Sequence, residues 1–126
     1  VALDSPYDGS FYAITEILPS QHLLVVGLRG RGYLSEDRGN SWIELNMATR
    51  ATLTGLTQLA DGVLVSVGSS GNLSISLDQG QLFQSAVQPD RRHFSAVANT
   101  GTGTLLLVGQ GGISTLEAQK MQEMVR

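Results

Sequence analysis

The sequence predicts an all-β chain of β-propeller blades: three four-stranded antiparallel repeat units of 41 residues, too few to close a ring. Three observations carry this. The segments HLLVVGLRG at 22–30, VLVSVGSSG at 63–71 and TLLLVGQGG at 104–112 align without a gap, and two glycine series run through them 41 residues apart: Gly27, Gly68 and Gly109, then Gly30, Gly71 and Gly112. Each unit breaks into four short apolar stretches separated by turn residues, the beat of a blade. The composition agrees, with 15 glycines among 126 residues and only 15% charged residues, as turns joining buried strands require. A parallel β-helix is the competing repeat fold, but its coils are shorter and lack the four-strand beat.

In each unit a first strand carries Tyr12 and Ile14; Leu53 and, with a slip, Leu56; then Phe94 and Ala96. The apolar run ending in Gly27, Gly68 or Gly109 is the second strand, and Ala60-Asp61-Gly62 and Thr100 to Gly103 supply turns before it. Third strands are expected at Tyr33-Leu34-Ser35, Leu73 to Ser76 and Ile113 to Leu116; fourth strands at Trp42 to Leu45 and Phe83 to Ala86. The domain reading is one partial propeller: 1–10 as the end strand of a preceding blade and a link, blades at 11–47 and 52–88, an incomplete blade at 93–116, and a tail at 117–126. The repeat phase sets Val1-Ala2-Leu3 level with the fourth strands, so the opening strand and the three-stranded last unit are complementary parts of a blade. Two ways of covering the open sides are expected: remaining blades of a longer chain, or a second copy in a homodimer. The tail is rich in helix formers, with Ala118, Met121 and Val125 at helical spacing.

Between third and fourth strands lie two hairpin sequences of the form S-x-D-x-G-x-x-[WF], Ser35, Asp37, Gly39 and Trp42, then Ser76, Asp78, Gly80 and Phe83, again 41 apart. A hydroxyl and a carboxylate two residues on can accept hydrogen bonds from the backbone of a tight loop. The glycine takes a conformation that a Cβ forbids, and the aromatic folds back between sheets. This reading is structural and neither catalytic nor metal-binding: each aspartate is satisfied by its own loop, and neither loop has the spacing of a calcium-binding hand.

The paired hairpins resemble the Asp-box of bacterial neuraminidase repeats. Together with SPYDGSFY at 5–12, LVVGLRG at 24–30 and GQGG at 109–112, they resemble the bacterial propellers related to photosystem II assembly and stability factors. That resemblance implies a non-enzymatic propeller that binds proteins as an assembly scaffold, and an exported, periplasmic or membrane-associated location. The chain departs from it in having three units, and in a third unit where Glu117 and Gln119 stand in place of Ser76 and Asp78.

The remaining chemistry is sparse. No cysteine excludes disulfides and thiolate metal sites, and no cofactor or metal is expected. A net charge of -3 excludes a nucleic-acid footprint, and no apolar run reaches the length of a transmembrane segment. His22 and His93 sit in no catalytic motif, and the glycines of GLRGRG at 27–32 join two strands rather than opening a phosphate-binding helix. A sialidase-like glycoside-processing enzyme is the alternative reading, yet its arginine triad and tyrosine–glutamate pair cannot be assigned to residues here. A small-molecule-binding propeller is another. The informative pattern is charge. Arg29 and Arg31 fall in the turn between second and third strands, and Arg50, Arg91 and Arg92 in the links between blades. In a blade these loops share one face, while Glu36, Asp37, Asp61 and Asp78 fall on the other. An arginine-lined face suits carboxylates of an anionic protein segment, because the guanidinium pairs with them bidentately.

Overall fold

The computed structural model describes Leu3 to Val125. Three antiparallel sheets follow one another along the chain. The first blade is β1 (Phe11–Ile17), β2 (His22–Gly27), β3 (Arg31–Ser35) and β4 (Ile43–Asn46), in that spatial order. The second is β5 (Leu53–Gln58), β6 (Leu64–Gly68), β7 (Asn72–Ser76) and β8 (Gln84–Val87). The third has three strands, β9 (Phe94–Asn99), β10 (Thr104–Gly109) and β11 (Gly112–Glu117), followed by a short helix α1 (Ala118–Glu123). These are propeller blades, and they do not close into a ring.

The expected opening strand at Val1-Ala2-Leu3 lies largely outside the described residues; from Leu3 to Ser10 the chain forms no strand. The glycines ending the second strands are required by close approach. A Cβ on Gly27, Gly68 or Gly109 would stand 2.2, 1.9 or 2.3 Å from the carbonyl oxygen of Ser10, Thr52 or His93, where the first strand begins.

Blades pack face to face, and each joint has its own core. Between the first and second blades lie Ile17, Leu24, Val26 and Met47 on one side and Leu53, Leu64 and Phe83 on the other. Between the second and third lie Leu59, Val63, Val65, Val67, Leu73 and Ile75, facing Phe94, Leu105, Leu107 and Leu116. The alternation of the strands makes this possible: Leu64 turns to the preceding blade while Val65 turns to the following one, so β6 is buried throughout.

Two turns shift the register that the repeat suggests. In the first blade Ile17 pairs with His22 across Leu18 to Gln21, while in the second Leu59 closes on Val63 with one residue fewer between. Consequently β1 sits one residue off the 41-residue period. Phe11, opposite Gly27, occupies the place of Leu53, opposite Gly68, and Tyr12 and Ile14 are exposed. In the third blade Gly109 pairs directly with Gly112 through a two-residue turn, where the first two blades use a three-residue 3-10 turn at Leu28–Gly30 and Ser69–Gly71. Gly112 is thus a strand residue and not the third turn glycine. One residue of slip flips side chains across the sheet: Leu116 turns inward against Leu105, and Ile113 is left exposed.

The tail stripe forms as expected. Ala118, Met121 and Val125 are all buried, in the joint between second and third blades. The Ala118 N–H donates to the Gly103 carbonyl, and Gln122 reaches Asp61 at 3.2 Å. The helix therefore inserts apolar side chains where a third S-x-D-x-G hairpin would have placed an aromatic. Phe83 does the same service in the preceding joint.

Candidate functional site

The two faces of the blade stack differ in character. On one, both S-x-D-x-G loops are closed by the same bonds. The Ser35 Oγ accepts from the Gly39 N–H at 2.7 Å and donates to Asp37 at 2.9 Å; Ser76 repeats this with Gly80 at 2.8 Å and Asp78 at 2.8 Å. Asp37 accepts from the Ser41 N–H and Asp78 from the Leu82 N–H. Gly39 and Gly80 stand at φ +94° and +97°. Hydrogen bonds from the Ser41 hydroxyl and N–H hold the Asp37 carboxyl below its usual range. Burial pushes Asp78 upward, but the Leu82 N–H and the Ser76 hydroxyl outweigh it and leave that carboxyl low as well. The carboxylates are thus occupied by their own loops. The aromatics diverge: Phe83 is buried against the first blade, while Trp42, whose blade has no neighbouring blade on that side among the described residues, is only half-buried.

The opposite face gathers the arginines. The 3-10 turns and the inter-blade links meet there: the Ser69 N–H donates to the Thr52 carbonyl, the Arg29 N–H to the Thr52 hydroxyl, and the Ser70 N–H to the His93 imidazole. Arg29, Arg31 and Arg50 border one concavity with Glu44, Asn46 and Thr49. Arg92 borders a second, along the upper edge of β11 with Gln88, Asp90 and Gln110. Arg29, Arg50, Arg91 and Arg92 are exposed.

The five arginines are not equivalent. Arg31 donates to Glu44 and lies over the Tyr7 ring, its guanidinium carbon 4.8 Å from the ring centre. Tyr7 stacks on Tyr33 at 6.5 Å, and Phe11 meets Tyr33 edge-on at 5.9 Å. The hydrogen bond to Glu44 raises the Arg31 guanidinium further above its ordinary value. Burial raises the Tyr33 hydroxyl, and the Glu44 charge adds to it. Arg31 is thus engaged in pinning the segment before β1 onto the first blade. Arg92 pairs with Asp90 at 3.6 Å. Among the described residues Arg29, Arg50 and Arg91 have no ion-pair partner.

Sequence reasoning missed the Tyr7–Tyr33–Arg31–Glu44 cluster. A signal for it exists: in the β3–β4 hairpin Tyr33 faces Glu44, and Arg31 lies two residues along on the same side of β3. Of His22 and His93, which lie in no catalytic motif, His22 opens β2 and His93 immediately precedes β9; the His22 imidazole is 4.0 Å from Glu36. Among the described residues no three acidic or histidine side chains converge as metal ligands, and no helix is long and apolar enough to cross a membrane.

Successive four-stranded sheets, each with a short glycine-bearing turn on one face and a hydroxyl-locked hairpin on the other, define a β-propeller segment. No family model matches the chain, and no curated protein matches it by sequence. Solved structures do match by shape. YCF48 from Cyanidioschyzon merolae superposes with a TM-score of 0.77 at 18% identity, covering 92% of this chain and 36% of that one. YCF48 bound to a D1 peptide gives 0.59 at 20% identity, covering 94% and 39%. An ancestral GH74 enzyme gives 0.68 at 11% identity, covering 83% and 17%. The chain therefore spans well under half the length of each structure it resembles, and at these identities the likeness is one of fold.

Proposed function

We propose that this chain is a segment of a non-catalytic propeller that serves as a protein-interaction and assembly scaffold, docking a carboxylate-bearing protein segment on its arginine face. The observation that carries the reading is the cluster of Arg29, Arg50 and Arg91, exposed and without ion-pair partners among the described residues, on the face that the turns and links share. An unpaired guanidinium fork is a ready bidentate partner for a carboxylate. Arg31 and Arg92, already paired with Glu44 and Asp90, would frame the surface. YCF48, which shares the fold, has been solved with a D1 peptide bound, and this supports a peptide-docking role for the shape. An exported, periplasmic or membrane-associated location is part of the same proposal and rests on the sequence resemblance.

The test is binding of fluorescein-labelled extended peptides, acidic and length-matched neutral, followed by polarisation. The acidic peptide is expected to bind more tightly and to weaken with added salt. The triple variant Arg29→Ala, Arg50→Ala, Arg91→Ala is expected to lose about tenfold or more, as loss of charge-assisted hydrogen bonds implies. Equal binding by wild type and variant would overturn the reading.

A second reading has a specific observation behind it: the likeness to a GH74 enzyme. A glycoside-processing role would show as turnover of fluorogenic glycosides, sialosides included, by the chain or a longer form of it. Robust hydrolysis would replace the scaffold reading.

A further inference from the structure

The same bond ties a turn to the following link at both joints, and only one of the two can change its charge. At the first joint the Arg29 N–H donates to the Thr52 hydroxyl at 3.3 Å. At the second, 41 residues on in both partners, the Ser70 N–H donates to Nδ1 of His93 at 2.9 Å. Arg29 and Ser70 are the middle residues of their 3-10 turns, at φ +58° and +56°. A hydroxyl accepts at any pH near neutrality. An imidazole nitrogen accepts only while it carries no proton, so the bond fixes His93 as the neutral ring with its proton on Nε2.

The backbone around that ring is held firmly. The His93 N–H donates to the Gln110 side chain at 3.3 Å, and its carbonyl accepts from the Gln110 N–H at 2.9 Å. The next carbonyl, of Phe94, accepts from the Thr54 hydroxyl at 2.6 Å. Ser70 and His93 are both exposed, so water can take over the Ser70 N–H when the ring is protonated, and the broken bond costs little. The elements packed against β9, namely β5, β6, β10 and the Ser69–Gly71 turn, carry no ionisable residue. The turn at Gln110 and Gly111 carries none either. The charged groups beside the ring come from its own link: Asp90, paired with Arg92 at 3.6 Å, and Arg91. Arg91 rests on the same turn as the ring, since a Cβ on Gly71 would stand 3.0 Å from the Arg91 Cα. A charge gained by His93 therefore falls among the guanidinium groups of the arginine face.

We propose that His93 is a proton-responsive member of the docking surface: on protonation its ring gives up the Ser70 bond, adds a positive charge beside Arg91, and strengthens the hold on a carboxylate-bearing segment. This rests on the reading of the arginine face as a docking surface. By linkage, a bound carboxylate draws a proton onto the ring by the same factor.

Two measurements on the 126-residue chain test it, between about pH 7.5 and about pH 5.5, the range in which imidazole changes charge. In nuclear magnetic resonance spectra of the free chain, the Ser70 amide is expected to shift together with the His93 ring protons, while the Arg29 amide stays still. His93→Thr gives Ser70 the kind of acceptor that Arg29 already has, and there neither amide is expected to move. The second measurement is polarisation with a labelled glutamate-rich peptide, whose side chains ordinarily titrate near about 4.3 and stay largely ionised throughout. Wild type is expected to bind it about threefold more tightly at the lower pH, the gain of one exposed ion pair. His93→Thr is expected to bind it equally at both, and a length-matched neutral peptide shows no such gain with either protein. His22 is present in both proteins, so it cannot produce the difference. A preference for the acidic peptide that ignores pH, or a pH response that survives His93→Thr, would overturn the proton response and leave the docking face standing. A Ser70 amide that does not follow the ring would overturn it without any variant. No preference for the acidic peptide at either pH would overturn the docking reading and this proposal with it.

Discussion

Replacing Phe83 with alanine removes the wedge between the first two blades. The ring is 4% exposed and packs in the cluster with Ile17, Leu24, Met47 and Leu64. A buried aromatic removes about 150–250 Å² from water, worth about 4–6 kcal/mol at about 25 cal/mol per Å², of which alanine keeps a small part. Measured Phe→Ala costs in cores run about 3–5 kcal/mol. Taking about 3.5 kcal/mol, and about 2.1 cal/mol/K of unfolding entropy per residue, the midpoint of thermal unfolding should fall by roughly 13 °C. Ile43→Ala is the control: Ile43 lies on the outermost strand of the first blade, 53% exposed, and should cost under about 1 kcal/mol. Urea unfolding followed by far-ultraviolet dichroism reads both. A cost for Phe83→Ala below about 1 kcal/mol, or equal to that of Ile43→Ala, would mean that the sheets are not held together by this joint.

Three other outcomes follow from the packing and the charges. Gly55→Val should cost about 1–3 kcal/mol, because a Cβ there would stand 2.8 Å from the Ala96 Cα and 3.0 Å from the Val97 nitrogen, whereas Ala98→Val on the exposed side of β9 should be close to neutral by the same unfolding assay. Met121→Ala should cost about 2–3 kcal/mol and speed proteolysis at the C-terminal end, since Met121 is fully buried where α1 plugs the second joint. The folded-state pKa of Asp37 and of Asp78 lies below the ordinary 3.8, so their stabilisation is fully present above that value and is lost as pH falls through the depressed one. The urea midpoint should therefore drop between about pH 5 and about pH 2, and the drop should shrink in the double variant Asp37→Asn, Asp78→Asn.

How much of this was legible in the sequence depends on the range of the interaction. The glycines at the ends of the second strands and the S-x-D-x-G loops are local devices, and a sequence period displays them directly. The loop at Asp78 repeats the serine and aspartate bonds that close the loop at Asp37, which adds bonds from the Ser41 hydroxyl and the Asn40 side chain. What the period hides is turn length. One extra residue in the Leu18–Gln21 turn moves Phe11 into the register of Leu53, and one residue fewer between Gly109 and Gly112 turns Leu116 inward and Ile113 outward. A single residue decides which face of a sheet a side chain occupies, and nothing in an apolar run marks it. The stripe in α1 was visible, but its seat between blades was not, because a six-residue helix has no local reason to choose a partner. The arginine face followed from which loops share an end of a blade. That Arg31 is tied down by Glu44 and Tyr7 required the cross-strand register as well as the fold of the segment before β1.

The claim that one face of the stack is the docking surface is tested most directly by chemical-shift mapping. An acidic extended peptide is titrated into the isotope-labelled chain and the perturbed amides are located. The account expects them at Leu28–Arg31, at Thr49–Arg50, at Ser69–Gly71 and around Arg91–His93, with Glu36–Ser41 and Leu77–Leu82 unmoved. Perturbations centred on the hydroxyl-locked loops, with the arginine turns and links unmoved, would contradict it.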